Sequence, residues 1–173
     1  MGKYSNVKRE NQLKNLVFDD YFKQKNVSWE QDIDNIDFIL TDIQSRNEKE
    51  HGGAKKHYAW LEVKKGEADE LDMITQLILT IKKTLKKAEV VPPPYIGCFD
   101  TSTITFVPFH NIHDIFNDND VNWNTTPSNH EKEDFVKLKN KIKKLIDEEK
   151  ECFTFIINLQ RDLMKKVIYC LKK

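Results

Sequence analysis

The spacing of apolar residues along the first half of the chain predicts a helix followed by three strands. Residues 7–25 carry apolar side chains every three or four positions, which is the period of a helix that buries one face. The predicted buried stripe is Leu13, Leu16, Val17, Tyr21 and Phe22. Apolar runs at 26–31, 36–43 and 58–63 then predict three strands, with a polar loop or hairpin turn over 44–56.

The next segment predicts a second helix and two more strands. Residues 72–87 carry one apolar stripe, with acidic residues before it and lysines at its end, as the helix dipole favours. Three prolines at 92–94 end this segment, and residues 95–99 and 103–107 read as strands around a short turn. The predicted order is α-β-β-β-α-β, followed by one more strand.

Beyond this core the amino-acid composition of the chain changes. Residues 111–127 are rich in Asn, Asp and Thr, which predicts a long loop, with one helical turn near 110–116. Residues 131–173 contain no Gly or Pro and carry two apolar stripes, which predicts two helices that break near 151–154.

A length of 173 residues suits one compact domain with an appended segment. We therefore expect a core over 1–110, a polar loop over 111–130 and a helical extension over 131–173 that resembles a connector. The apolar stripe from Phe153 to Leu171 would form a large exposed patch if left uncovered. We expect it to be buried in a helical hairpin, in a homodimer, or against a domain that follows in a longer protein.

Charge and composition exclude several classes of protein. The 28 basic and 28 acidic residues cancel, so any contact with nucleic acid must use a local basic patch. The three cysteines, Cys98, Cys152 and Cys170, have no zinc-like pairing and are too few for a disulfide framework. No stretch approaches the ~18 apolar residues of a membrane span. These features predict a cytoplasmic protein without a membrane partner.

Three polar residues stand at strand ends where their side chains are expected to meet. Glu62 and Lys64 alternate with Leu61 and Val63, so they share one face about 6.6 Å apart along the strand. Asp37 opens the apolar run of the preceding strand and comes beside Glu62 if the two strands pair.

Asp34 and Asp42 compete with Asp37 for this role. The apolar run follows Asp37 directly, which places Asp37 inside the sheet and favours it. The alternative without a catalytic role for Glu62 and Lys64 is a surface salt bridge on an exposed strand.

This set of groups suits a magnesium site. The carboxylates of Asp37 and Glu62, with the main-chain carbonyl of Val63, are the hard oxygen ligands that Mg²⁺ prefers, and Mn²⁺ would substitute for it. Lys64 would then orient or deprotonate the attacking water, or stabilise the pentacovalent phosphate. Together these groups predict hydrolysis of a phosphodiester.

Asp37, Glu62 and Lys64, in this order of elements, resemble the PD-(D/E)xK nuclease superfamily. The resemblance implies a restriction-endonuclease-like αβββαβ core, an α/β fold with a mixed sheet, and a Mg²⁺-dependent endonuclease acting on double-stranded DNA. Asp37, Glu62 and Lys64 would be catalytic. Ile36 stands where the family pattern has proline, which is a common departure.

The resemblance also implies two auxiliary residues. Glu10 on the first helix would add a carboxylate to the metal site, as first-helix acids do in some of these nucleases. Gln76 lies where several members carry a supporting glutamine, although Thr80 stands where their tyrosine is. A solvent-exposed helix face is the alternative for both.

Three further segments resemble the N-terminal nuclease region of type IIG-like restriction–modification enzymes. They are residues 92–97, 106–109 and 122–128. This resemblance implies a restriction system in which a methyltransferase and specificity domain lies in a longer protein.

The lysine pairs near the predicted site are candidates for DNA binding. They are Lys55, Lys56, Lys82 and Lys83, which would contact backbone phosphates or simply face solvent. The alternative function for the whole chain is a catalytically inactive module of nuclease fold that binds DNA or a partner protein.

Overall fold

The computed structural model describes residues 3–23, 27–30, 35–42, 56–85, 91–149 and 153–156. The helices are α1 (Glu10–Val17), continued by a π-helical segment (Phe18–Phe22), α2 (Glu70–Leu85) and α3 (Glu133–Glu149), with 3₁₀ turns at Phe109–Asn111 and His113–Asn117. The strands are β1 (Val27–Glu30), β2 (Phe38–Asp42), β3 (His57–Val63), β4 (Tyr95–Phe99), β5 (Thr103–Pro108) and β6 (Phe153–Ile156). The predicted order of elements through β5 is confirmed.

The strands form one mixed sheet, which confirms the mixed α/β class. Their spatial order is β1-β2-β3-β4-β5-β6. All neighbouring pairs are antiparallel except β3 and β4, which are parallel and joined through α2. Because β2 runs against β3, the start of β2 lies at the same edge of the sheet as the ends of β3 and β4. Asp37, Glu62 and Lys64 lie at this edge.

Each face of the sheet has its own hydrophobic core. Alternate strand residues such as Phe38, Leu61 and Val63 pack with α1 and the π-helical segment. The opposite set, which includes Ile39 and Trp60, packs with α2, α3 and the second 3₁₀ turn. The site edge is therefore flanked by α1 on one side and α2 on the other.

The buried stripe of the first helix differs from its prediction at one position. Leu16 is 37% exposed, whereas Lys14 is only 2% exposed and lies among the core residues of α1. Leu13, Val17 and Tyr21 follow one another at intervals of four, so the buried face is centred on Val17. Around the helix axis Lys14 lies about 60° from that centre and Leu16 about 100°, so the apolar pattern alone chose the wrong residue.

The prediction of a second helix in the C-terminal extension is wrong for its first residues, 153–156. Residues 153–156 form β6, which pairs antiparallel with β5, and the hydroxyls of Thr105 and Thr154 lie 3.1 Å apart. The segment Phe-Thr-Phe-Ile has the aromatic and β-branched residues that favour strands, and β5 offers an unpaired edge. The rest of the extension, 157–173, lies outside the described residues, and so does most of the stripe expected to form a homodimer.

The first part of the predicted extension is packed into the core. Phe135, Leu138 and Ile142 of α3 are buried against α2. The helical turn expected near 110–116 is confirmed as the two 3₁₀ turns. The predicted loop over 44–56 lies outside the described residues except for Lys56. No helix among the described residues is long and apolar enough to cross a membrane.

Candidate metal centre

Strand pairing brings Asp37 to Glu62. Phe38 opens β2 opposite Leu61 of β3, so the residue before it falls opposite the residue after Leu61. The main-chain N–H of Val63 donates a hydrogen bond of 3.1 Å to Asp37 Oδ2. The competitor Asp42 lies at the far end of β2, where its carboxylate accepts a 2.8 Å hydrogen bond from the Tyr58 hydroxyl. The choice of Asp37 over Asp42 therefore agrees with the register; Asp34 lies outside the described residues.

Glu62 is the most deeply buried carboxylate of this cluster. Its side chain is 2% exposed and points towards α2, while Lys64 on the same face is 35% exposed. Lys64 Nζ donates a 2.8 Å hydrogen bond to Glu62 Oε1, and the Gln76 amide of α2 donates to the same oxygen. The predicted auxiliary residue Gln76 therefore contacts the site directly.

Burial and the neighbouring charge of Asp37 raise the pKa of Glu62 to about 7. The hydrogen bond and positive charge of Lys64 lower the pKa but do not offset these two effects. For Lys64, burial lowers the pKa, but the hydrogen bond and charge of Glu62 outweigh burial and raise it. The charge of Asp37 therefore acts on Glu62, and the two carboxylates repel each other when both are ionised.

This shift makes stability depend on pH. The folded protein holds the Glu62 proton more tightly than the unfolded chain, whose Glu pKa is 4.5. The contribution of Glu62 to stability is therefore fully present below about pH 4.5 and is lost as the pH rises through 7. We expect Glu62→Gln, measured by urea unfolding in chelator, to gain about 2 kcal/mol relative to wild type between pH 5 and pH 8. The same substitution at exposed Glu131 is the control, and equal behaviour of the two variants would contradict the prediction.

The first helix adds a carboxylate and a lysine to the cluster. Lys14 Nζ lies 3.7 Å from Asp37 Oδ1 and 3.5 Å from Glu10 Oε1. The charge of Glu10 also raises the pKa of both Glu62 and Lys64, which places Glu10 within electrostatic reach of them. The structure thus brings the predicted auxiliary residue Glu10 to the site, together with a lysine that the sequence pattern did not select.

A polar chain leads from the site towards α3. The oxygen of the Gln76 amide lies 3.3 Å from His130 Nε2, and His130 Nδ1 lies 3.7 Å from Asp72 Oδ2. Lys139 of α3 pairs with Asp72 at 2.8 Å. His130 also stacks on Phe135 with ring centroids 4.7 Å apart. This arrangement orients the Gln76 amide so that its NH₂ group faces Glu62.

Asp100 fixes the backbone on the other side of Lys64. It is buried, and its carboxylate accepts hydrogen bonds from the main-chain N–H groups of Ala68, Ser102 and Thr103. The Lys64 N–H donates to the Phe99 carbonyl at 3.1 Å. The segment that leaves β3 is therefore held against the β4–β5 turn, which limits where Lys64 can point.

The predicted DNA-binding lysines are not part of this cluster. Lys56 precedes β3 at the end opposite Glu62, about 20 Å away along the strand, and its ammonium lies 5.9 Å from the Tyr58 ring. Lys82 and Lys83 donate to the carbonyls of Phe116 and Thr125 and so hold the loop before α3. Lys55 lies outside the described residues. Phosphate contact by the three described lysines stays a prediction.

The donor set fits a divalent ion that keeps most of its water. Among the described residues no group of three His, Cys, Asp or Glu side chains is arranged to hold a metal. Asp37, Glu62 and the Val63 carbonyl offer only oxygen, and Mg²⁺ is commonly bound by one or two carboxylates with several waters. When Glu62 is ionised, the three carboxylates of Glu10, Asp37 and Glu62 and the two ammonium groups of Lys14 and Lys64 leave the cluster one negative charge, which favours binding of a cation.

No family model, curated protein or solved structure matches this chain. The resemblance to PD-(D/E)xK nucleases therefore rests on the sequence motif, and membership of that superfamily stays a prediction. Sequence reasoning missed Lys14 and His130. The signal for Lys14 was its spacing of four from Glu10 on the buried face of α1, whereas nothing in the sequence connects His130 with Gln76.

Proposed function

We propose that this chain is a Mg²⁺-dependent DNA endonuclease domain that hydrolyses phosphodiester bonds. The observation that carries the proposal is the juxtaposition of Asp37, Glu62 and Lys64 at one edge of the sheet, with Lys64 hydrogen-bonded to Glu62. The αβββαβ order within a mixed sheet supports a restriction-endonuclease-like core.

Each group has a defined role in this proposal. Asp37, Glu62 and the Val63 carbonyl would hold the metal, which would supply Lewis acidity at the scissile phosphate. Lys64 carries the positive charge that orients the attacking water and stabilises the charge developing on the phosphate. Gln76 and Lys64 both bond to one oxygen of Glu62 and so orient its carboxylate.

We further propose that the domain belongs to a restriction–modification system. Three segments that resemble type IIG-like enzymes support this context: residues 92–97, 106–109 and 122–128. In such a system a methyltransferase and specificity domain within a longer protein would select the sequence to be cut. The described chain supplies the cleaving site and its scaffold.

Metal binding gives the first test. We expect calorimetric titration to show Mg²⁺ or Mn²⁺ binding that is lost in an Asp37→Asn, Glu62→Gln double variant, since each substitution removes the negative charge of one oxygen ligand. Ca²⁺ should bind to wild type without supporting cleavage of supercoiled plasmid DNA. Asp42→Asn is the matched control, because Asp42 lies at the other end of β2 and bonds to Tyr58.

The outcomes separate the two candidate functions. Equal metal binding by wild type and the double variant would overturn the proposed metal centre. DNA binding without metal binding or cleavage would favour the alternative, a catalytically inactive module that binds DNA or a partner protein.

A further inference from the structure

Lys14 is among the largest fully buried side chains of the described protein. It is 2% exposed and lies between Leu13 and Val17 on the core face of α1. Lysine is almost never buried this deeply unless its charge is compensated. Its ammonium therefore needs the negative charges around it, and two of those belong to Glu10 and Asp37.

The same ammonium competes with any divalent ion for these carboxylates. It lies 3.7 Å from Asp37 Oδ1, an oxygen of a proposed metal ligand. Two positive charges a few ångströms apart repel strongly in a partly buried site. Burial also keeps Lys14 in place, whereas the half-buried Lys64 has access to solvent.

We propose that Lys14 is a built-in counter-cation of the acidic cluster: it holds Asp37 and Glu10 in place before metal binds, and it limits how tightly the divalent ion binds. The inference rests on the proposed function for its metal-dependent part. The charge of Lys14 also affects the net charge of the cluster once a divalent ion is bound. With Lys14 present, a bound divalent ion leaves the cluster with one positive charge, which a phosphodiester then neutralises.

The first experiment measures Mn²⁺ binding to the full chain by electron paramagnetic resonance. Lys14→Met keeps an unbranched side chain in the buried position but removes the charge. We expect the dissociation constant for Mn²⁺ to fall about tenfold or more in this variant and to change little in Lys14→Arg. Lys8→Met is the matched control, since this exposed lysine two residues before α1 carries the same charge.

The second experiment needs no metal. In chelator, the effect of Lys14→Met on the urea midpoint should be more destabilising when residue 37 is Asp than when it is Asn. Additive effects in this cycle would overturn the inference. Failure of wild type to bind Mn²⁺ would overturn the proposed function but leave this cycle as a valid test of the Lys14–Asp37 pair.

A third measurement covers the case in which Lys14→Met does not fold. The ¹⁵N signal of the Lys14 ammonium, identified by its loss in Lys14→Arg, should shift in Asp37→Asn and on addition of Mg²⁺ to wild type. An unchanged signal in Asp37→Asn, or in a protein shown to have bound Mg²⁺, would overturn the inference. An Mn²⁺ affinity equal in wild type and a folded Lys14→Met variant would do the same while the proposed function stands.

Discussion

Replacing Lys64 by methionine is expected to lower the rate of Mg²⁺-dependent plasmid cleavage by about three orders of magnitude. Methionine retains the apolar stem of the side chain and removes the only part that bonds to Glu62, the ammonium group. The loss should appear at saturating metal, because Lys64 offers no oxygen ligand and its removal leaves the metal site more negative. Gel analysis of supercoiled, nicked and linear plasmid measures the rate.

Lys65→Met provides the matched control for this prediction. Lys65 is the next residue, it is exposed, and it carries the same charge. A rate loss shared equally by the two variants would indicate weakened attraction to DNA instead of a role in the reaction. Full activity in Lys64→Met would remove Lys64 from the proposed mechanism.

Replacing Gly97 by alanine is expected to destabilise the fold by about 3 kcal/mol, a large effect for a change of one methyl group. An ideal Cβ at this position would lie 2.0 Å from the Thr105 carbonyl oxygen and 2.9 Å from Leu61 Cδ2. Both contacts belong to neighbouring strands, because Gly97 lies in β4 between β3 and β5. Relief of the clash therefore requires the sheet to distort beside the strand that carries Glu62.

Thermal and urea unfolding of the variant measure this effect. A loss of this size corresponds to a fall in melting temperature of about 10 °C for a chain of this length. Gly66→Ala is the control: a Cβ there meets no atom within 4 Å, although its φ of +89° favours glycine. Its cost should stay near 1 kcal/mol. Equal stability of wild type and Gly97→Ala would show that β4 accommodates the methyl group.

The site could be predicted in part because the alternation of side chains along a strand indicates which residues share a face of the sheet. A period of two puts Glu62 and Lys64 on one face, and the structure joins them by a hydrogen bond. The apolar run after Asp37 correctly indicated the start of a strand that pairs with β3. Lys14 escaped prediction because a charged residue on a helix is expected in solvent. Glu10 of the same helix and Asp37 at the start of β2 together compensate its buried charge, and the approach of Asp37 depends on the assembled fold.

In the C-terminal region the local apolar pattern predicted the wrong secondary structure. Apolar residues at 153–156 fit a helical stripe within residues 131–173, but the same four residues also fit a strand. Short apolar runs are ambiguous between the two periods, and the unpaired edge of β5 decides the matter here. β5 lies about fifty positions earlier in the chain, so the apolar spacing at 153–156 cannot indicate that a strand edge is available there.

By itself, the sequence determined the type and order of the elements through β5, because local hydrophobic periods and proline breaks specify them. It also determined which strand ends carry carboxylates and lysine. Tertiary structure alone decided the burial of Lys14, the contact from Gln76 through His130 to Asp72, and the pairing of β6. Each of these depends on groups that are distant in the chain and meet only when the sheet and its two helical layers are assembled.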